Sequence, residues 1–339
     1  MATESAEGEP IEYFLEEQRY HGRSDRTIEA YGRVLRRYEA FLAAEGTEPV
    51  AAGRRECMAW VHSLRADLEP STVASYASYV HRFYEYMTTV GAFDGNPMAL
   101  VLEEMDESIE TNPQRRELSV SEMRSFVRSI AHPLERALVV TLLKTGMRVG
   151  ELCNLDLRDL NLELEGLDVE SRPRVQLEAR PASLFVDADA IRGRSVNGES
   201  RTASNKRKRS TTIPVDDELA AVLREWLAIR PDPVSSAEPL FLDTGGSWGQ
   251  RIEPPEVRYV VERHARRHGW YRTGGGATEN VTPHYFRHFF TTHMRDRTGD
   301  RGVVKYLRGD VASDVIDTYT HNWGDRVRTV YEHNIYSIL

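Results

Sequence analysis

The first hundred residues alternate apolar and polar positions with the period of a helix and contain no strand-like run. Over roughly residues 8–102, apolar side chains recur at steps of three and four, which places them on one face of each segment. The clearest segment follows Ser24, which is placed to cap it, and carries apolar side chains at Tyr31, Val34, Leu35, Tyr38, Phe41 and Leu42. With further segments at 11–20, 54–64 and 70–87, the pattern predicts a bundle of four short helices.

A polar stretch separates this bundle from a second region of mixed pattern. Residues 103–117, EEMDESIETNPQRRE, nearly lack apolar side chains and predict a linker. Beyond it, strand-like runs at 160–164, 183–186 and 211–215 alternate with helical segments at 119–129, 133–144, 216–229, 255–268, 283–295 and 302–307. We therefore predict a helical domain at 1–102, a linker at 103–117 and an α+β domain at 118–339. The chain as a whole is mainly α with a small β-sheet.

Composition narrows the class of protein. With 339 residues, 40% of them hydrophobic, the chain buries full cores, which excludes a disordered or fibrous protein. The sequence has no run of ~18 uncharged apolar residues and no signal-peptide order of charges at its start. Cys57 and Cys153 lie far apart, which excludes a disulfide scaffold and a cysteine zinc site. We expect a soluble, cytoplasmic protein.

The net charge of −9 alone argues against a nucleic-acid partner, but the basic residues are unevenly distributed. Forty of the 44 basic residues are arginines, and local basic runs occur at 206–209 and 263–272. The average charge therefore does not exclude a polyanionic partner at these runs.

The segment TGMRVGEL, residues 145–152, is the first candidate for chemistry. Gly146 ends one helix, and Arg148 lies in the opening turn of the next, where unpaired backbone N–H groups favour an anion. Glu151 lies three residues on, so it faces the same side and is placed to brace the guanidinium. The alternative is an ordinary surface pair of arginine and glutamate.

The second candidate is the basic run Ser204–Arg209, which leads into STTIPV. This order predicts a hairpin whose second strand is Thr211–Val215. The alternative is a solvated basic hairpin tip. Lys206 and Lys208 are two of only four lysines, and lysine, unlike arginine, can be tuned to donate a proton.

The third candidate is VTPHYFRHFFTTHM, residues 281–294. Thr282 caps a helix and Pro283 takes its first position, so His284 and Arg287 share a face near the helix start. Its buried side is predicted to carry Phe286, Phe289, Phe290 and Met294. A metal site built from His284, His288 and His293 is not expected, because spacings of four and five do not keep three imidazoles on one face.

The fourth candidate is Tyr319, which lies in a polar segment and is therefore expected to be exposed. The order and spacing of the four segments together resemble the tyrosine recombinase family, the integrase or Xer-like group. SDRTIEAYGRVLRRYEAFL is similar to the helical, SAM-like core-binding domain of that family, and TGMRVGEL and TPHYFRH are close to its catalytic motifs. The resemblance runs from about residue 8 to the end.

The resemblance implies a site-specific recombinase that needs no metal, ATP or cofactor. Tyr319 would form a 3′-phosphotyrosyl link, and Arg148 and Arg287 would bind the phosphate oxygens. His284 would assist proton removal from the tyrosine, and Lys206 would protonate the leaving oxygen, with Lys208 as the alternative. Glu151 would support the site, and the catalytic lysine's basic neighbours Lys208, Arg207 and Arg209 would contact DNA.

One position departs from the family, which usually has His or Trp nine residues before the nucleophile. Asp310 stands there, and an ionised carboxylate cannot donate a hydrogen bond to a phosphate. Three outcomes are open: Arg308 takes over the contact, Asp310 orients Arg287 or Lys206, or turnover is reduced.

The expected partner is duplex DNA, held between two domains that close as a C-shaped clamp, with self-association as a dimer or tetramer. The apolar tail residues either dock on a neighbouring protomer or fold onto their own domain: Trp323, Val327, Val330, Tyr331 and Ile335. Two other functions stay open, a type IB topoisomerase-like relaxase and a recombinase-derived DNA-binding regulator without cleavage activity.

Overall fold

The computed structural model describes residues 9–109, 114–167, 169, 172–180, 182–189, 192–310 and 324–339. It divides the chain into two compact units, Met1–Pro113 and Gln114–Leu339. The first unit is helical, and the second combines helices with a small sheet. The predicted fold class, mainly α with a small β-sheet, is confirmed.

The first unit contains five helices in its described part: α1 (Pro10–Tyr20), α2 (Asp25–Ala44), α3 (Arg54–Leu64), α4 (Pro70–Thr89) and α5 (Met98–Glu104). The Ser24 side chain accepts a hydrogen bond from the Thr27 N–H at 3.3 Å, as its capping position predicts. The prediction of four helices was wrong by one. Helix α5 has only seven residues, too few to show the periodicity that identified the others.

The second unit combines a small sheet with helices. Its strands are β1 (Leu160–Asn161), β2 (Ser183–Val186), β3 (Ser195–Val196), β4 (Glu199–Ser200) and β5 (Thr211–Pro214). Three of them form an antiparallel sheet in the order β1-β2-β5. Its helices are α6 (Val120–Arg128), α7 (Pro133–Thr145), α8 (Val149–Cys153), α9 (Asp217–Ile229), α10 (Pro254–Arg267), α11 (Pro283–Thr298), α12 (Arg301–Arg308) and α13 (Gly324–Asn334). Helix α7 runs through the core with its residues from Ala137 to Thr145 buried.

The connection between β2 and β5 differs from the hairpin that the sequence predicted. Strand β5 pairs with β2 in antiparallel register, from Ser183 opposite Pro214 to Val186 opposite Thr211. The intervening chain, however, forms its own hairpin from β3 and β4, and the basic run at 206–209 follows that hairpin. The lysines therefore lie in the segment entering β5, not at a tight hairpin tip.

The described part of the C-terminal tail folds onto its own unit. Val327, Tyr331 and Tyr336 are buried there, and the Tyr331 hydroxyl donates to the Lys144 carbonyl at 3.0 Å. Of the two alternatives for the tail, this structure has the intramolecular one; Trp323 lies outside the described residues. None of the described helices is long and apolar enough to cross a membrane.

Candidate active site

The turn between α7 and α8 presents Arg148. Gly146 ends α7 in the left-handed region, at φ 62°, and the chain then enters the short helix α8. Glu151 accepts from the Arg148 backbone N–H at 3.0 Å and from its Nη1 at 2.9 Å, so one carboxylate fixes both ends of the residue. The predicted contact between Glu151 and the Arg148 guanidinium is therefore present.

One N–H group at the start of α8, predicted from the sequence to be unpaired and to favour an anion, has a partner in the structure. This helix has only five residues, and the N–H of Arg148 at its start is already bonded to the Glu151 carboxylate. What an anion can reach here is the partly exposed guanidinium of Arg148.

The side chain of Arg287 extends from α11 to the turn that presents Arg148. Pro283 is the first residue of this helix, as predicted, but the Thr282 side chain makes no capping hydrogen bond. The Arg287 Nη1 donates to the Gly146 carbonyl at 2.7 Å and to the Arg308 carbonyl at 3.1 Å. Burial leaves little water to solvate this cation and lowers the pKa of Arg287 from 12.5 to about 9.

Asp310 joins the two arginines. Its Oδ1 accepts from Arg287 Nη2 at 2.8 Å and from Arg148 Nη2 at 3.3 Å. Its Oδ2 lies 3.0 Å from Arg308 Nε. Three guanidinium groups from three separate segments therefore meet at one carboxylate. Of the open roles for Asp310, orientation of Arg287 matches these contacts, whereas the structure shows no ion pair between Asp310 and Lys206.

Arg207 lies behind this cluster and not on the surface. Its Nη2 donates to Glu151 Oε2 at 3.3 Å and to the Leu307 carbonyl at 3.2 Å, and its Nη1 contacts Thr211. Gly309, at φ 69°, makes this possible, because a Cβ there would lie 2.4 Å from the Arg207 Cγ. A DNA contact from Arg207 is not possible in this arrangement, since its side chain is fully buried.

The neighbours of Arg207 face solvent. Lys206 and Lys208 are exposed, and in the described part of the chain neither side chain forms a hydrogen bond or ion pair. The Lys208 backbone N–H donates to the Gly309 carbonyl at 3.0 Å, which attaches this segment next to Asp310. The Arg209 guanidinium lies 4.8 Å from the centre of the Tyr306 ring. Both lysines remain available as proton donors.

His284 lies at the start of α11 and is exposed. Neighbouring protein nevertheless removes water from around the ring, and the positive charges of Arg115 and Arg287 add to this effect, so the pKa of His284 is lowered. The neutral imidazole, which can accept a proton, is thereby favoured. Phe286, Phe289, Phe290 and Met294 form the buried side of α11, as predicted.

Tyr319 lies outside the described residues, so the structure brings together Arg148, Glu151, Arg287 and Asp310 without it. The sequence missed one feature of the cluster, the burial of Arg207. Arg207 carried no sign of burial among its basic neighbours, whereas Arg308 adjoins Asp310 in the run LRGD and was visible as a further cation.

Two sequence profiles match the chain. The profile of the phage integrase family matches residues 118–324, and that of the phage integrase N-terminal SAM-like domain matches residues 11–91. The chain belongs to the phage integrase family. The sequence predictions of this family and of a tyrosine recombinase as the class of enzyme are confirmed.

Curated relatives and solved structures extend the match to nearly the whole chain. The tyrosine recombinase XerC of Pelobacter propionicus is 24% identical over 91% of this chain and 89% of its own length. The tyrosine recombinase XerA of Pyrococcus furiosus is also 24% identical, over 94% of this chain and 92% of its own.

Among solved structures, the Tn1549 transposon integrase in complex with transposon right end DNA has the same fold. It superposes with a TM-score of 0.65 at 17% identity and covers 96% of both chains. A lambda integrase tetramer bound to a Holliday junction gives a TM-score of 0.60 at 14% identity, over 90% of this chain and 77% of that one.

Proposed function

We propose that this phage integrase family member is a site-specific recombinase that cuts and rejoins duplex DNA through Tyr319. The observation that carries the proposal is the meeting of Arg148 and Arg287 at one carboxylate oxygen, Oδ1 of Asp310. A carboxylate oxygen bound by two guanidinium groups marks a position suited to a phosphate oxygen. The two arginines come from segments 139 residues apart, so only the fold brings them together.

In the proposed reaction, the phenol oxygen of Tyr319 attacks the scissile phosphorus. The phenol proton passes to His284, whose lowered pKa keeps the imidazole neutral and able to accept it. The bond from phosphorus to the 5′-oxygen breaks, and that oxygen takes a proton from Lys206, with Lys208 as the alternative donor. Rejoining reverses each step, and because the phosphotyrosyl link keeps the energy of the phosphodiester, no ATP is consumed.

The arginines stabilise the negative charge that grows on the phosphate oxygens during attack. A preorganised donor of this kind is worth about 100- to 1000-fold in rate. Glu151 holds Arg148 through two hydrogen bonds and stands against the buried Arg207, so its role is to position. Lys208, which is exposed, and Arg209, which is partly exposed, lie in the same segment and are proposed to contact the DNA backbone.

Self-association on DNA as a dimer or tetramer is part of the proposal. It is supported by the titles of similar structures, which describe lambda integrase as a dimer on a core site and as a tetramer on a Holliday junction. We also infer that the protein acts in the cytoplasm; its two cysteines, Cys57 and Cys153, are free and buried.

The test uses nicked duplexes that the protein itself selects from a randomised library. A nick beside the cleavage position lets the 5′-hydroxyl fragment diffuse away and traps the covalent protein–DNA adduct. We expect an adduct with the wild-type chain that persists in EDTA and is lost in Tyr319→Phe. Specific binding without an adduct would instead indicate a regulator, and relaxation of any supercoiled plasmid without a preferred site would indicate a relaxase.

A further inference from the structure

Four guanidinium groups surround Asp310 and Glu151, and they differ in their access to solvent. The side chains of Arg148 and Arg308 are 30% and 29% exposed, whereas those of Arg287 and Arg207 are 3% and 0% exposed. An incoming phosphate therefore meets Arg148 and Arg308 first.

The hydrogen bonds of the four groups set Arg308 apart, because both terminal nitrogens of Arg148 donate to Glu151 and Asp310. Both terminal nitrogens of Arg287 donate to protein acceptors, and those of Arg207 are bound to Thr211, Glu151 and Leu307. Arg308 Nε lies 3.0 Å from Asp310 Oδ2 as an ion pair, and none of the three guanidinium nitrogens of Arg308 forms a hydrogen bond within the described residues. They are the donors that a planar guanidinium presents to a phosphate.

We infer that Arg308 is a phosphate-binding residue of the cleavage reaction and that Asp310 is the residue that positions it. The pair would thereby replace the His or Trp that the family resemblance leads one to expect at position 310. This inference rests on the proposed recombinase function.

The main chain supports the assignment, because it fixes Arg308 to the rest of the site. Its carbonyl accepts from Arg287 Nη1 at 3.1 Å, and Gly309 then turns the chain so that the carboxylate of Asp310 reaches back to Arg308 Nε. The main chain of Arg308 and the carboxylate paired with its guanidinium are therefore both fixed, which lowers the cost of ordering this side chain when DNA binds.

The charge balance of the cluster also favours phosphate binding by Arg308. The four guanidinium groups exceed the carboxylates of Glu151 and Asp310 by two positive charges. A phosphodiester carries one negative charge, and the pentavalent species formed during attack carries about two, so the second excess charge acts mainly in the transition state. Burial lowers the pKa of Arg308, and a phosphate oxygen would compensate for the lost water.

The experiment compares Arg308→Leu with Arg301→Leu, a matched control on the exposed start of α12. Single-turnover adduct formation is measured on the nicked duplex selected by the wild-type protein. We expect about a 100-fold loss for Arg308→Leu and no change for Arg301→Leu, with duplex affinity altered less than about threefold in both. An unchanged rate in Arg308→Leu would overturn the inference.

A second substrate separates charge from structure. A duplex with a neutral methylphosphonate at the scissile position lowers the transition-state charge by one, so the loss in Arg308→Leu is expected to shrink to about fivefold or less. A purely structural defect would give the same loss on both substrates and would contradict the assignment. Arg308→Lys, which keeps the charge, is expected to recover at least about tenfold of the loss.

A separate variant, Asp310→Asn, tests the role of Asp310. If Asp310 positions Arg308, Asp310→Asn slows adduct formation by about tenfold; if it merely competes with the phosphate, the same variant is faster. The double variant Arg308→Leu, Asp310→His is expected to be faster than Arg308→Leu alone, because the imidazole restores a hydrogen-bond donor. Absence of an adduct with the wild-type chain would contradict the proposed function itself, whereas a wild-type adduct with unaffected variants contradicts only this inference.

Discussion

The two units bury different kinds of side chain. In the described part of the first unit, the core consists of apolar and aromatic residues, and Gln18 is the single buried polar side chain outside that set. The second unit buries many ionisable groups: Lys144, Glu151, Asp156, Asp159, Arg201, Arg207, Arg251, His264 and Arg287. Several of these charges hold the cluster around Arg148. The core of the first unit is therefore built by burial of apolar surface, whereas the second unit also buries charges that orient the groups proposed to react.

The aromatic core of the first unit satisfies its few hydroxyl groups internally. The Tyr38 and Tyr84 hydroxyls lie 2.9 Å apart, and the Tyr84 hydroxyl donates to the Pro49 carbonyl. These groups are neutral near pH 7, so their loss leaves no unpaired charge. Loss of one partner from a buried ion pair in the second unit does leave such a charge, and this predicts larger effects there.

The largest expected effect on stability is that of Glu151→Ala. The substitution leaves the fully buried Arg207 without its carboxylate and should lower the free energy of unfolding by about 3–5 kcal/mol. The matched control is Glu12→Ala, which removes an exposed pair with Arg36 and should cost about 0–1 kcal/mol. Urea denaturation measures both. Equal losses of stability in the two variants would contradict the proposed difference between the two units.

Lys144→Met tests a second buried charge in the same unit. The Lys144 Nζ lies 2.6 Å from Asp216, 2.7 Å from Glu218 and 2.7 Å from the Tyr336 carbonyl. Because both carboxylates remain partly hydrated, we expect a loss of about 3 kcal/mol, near the lower limit for a broken buried pair. The C-terminal segment should also become sensitive to protease, since it loses its contact through Tyr336. A stable variant with a protected tail would contradict this account.

Tyr38→Phe tests the neutral network of the first unit. It removes a hydroxyl bonded to Tyr84 but leaves the ring in the core, so the expected cost is about 1 kcal/mol. Thermal denaturation measures the change, and adduct formation on the selected duplex should keep its wild-type rate. A loss as large as that of Glu151→Ala would show that neutral and charged networks do not differ as proposed.

The last prediction concerns the acid dependence of stability at Glu135. Burial acts to raise the pKa of this carboxyl, but hydrogen bonds with His264 and Arg263 outweigh it and lower the pKa to about 2. The unfolded value is about 4.3, so this stabilisation is present above that pH and is lost as the pH falls toward about 2. The difference in unfolding free energy between wild type and Glu135→Gln should therefore shrink between pH 6 and pH 3. A difference that stays constant between pH 6 and pH 3 would contradict the lowered pKa of Glu135.

Much of the fold was predictable because its helices are long and amphipathic, as the spacing of Val34, Leu35 and Tyr38 shows. Helix α5 was not, because seven residues give no period. The β3–β4 hairpin did carry a signal: Asn197-Gly198, where both residues have positive φ, is a strong two-residue turn sequence.

The candidate site was predictable where it depends on near neighbours. Arg148 and Glu151 are three residues apart, so their contact follows from one turn of helix. The burial of Arg207 depends on Gly309, about a hundred residues later, which no local pattern indicates. Asp310 was a missing hydrogen-bond donor in the sequence, and the fold makes it the acceptor for Arg148 and Arg287.

The most direct test of the central claim is the chemical identity of the linkage to DNA. Adduct trapped on the selected nicked duplex is digested with nuclease and protease, and the nucleotide-bearing peptide is sequenced by mass spectrometry. We predict a nucleotide attached through phosphate to Tyr319, stable in EDTA, with the modified peptide much reduced in Arg148→Ala and Arg287→Ala. A nucleotide on another residue, or an unmodified Tyr319 in protein that has cleaved DNA, would contradict the account.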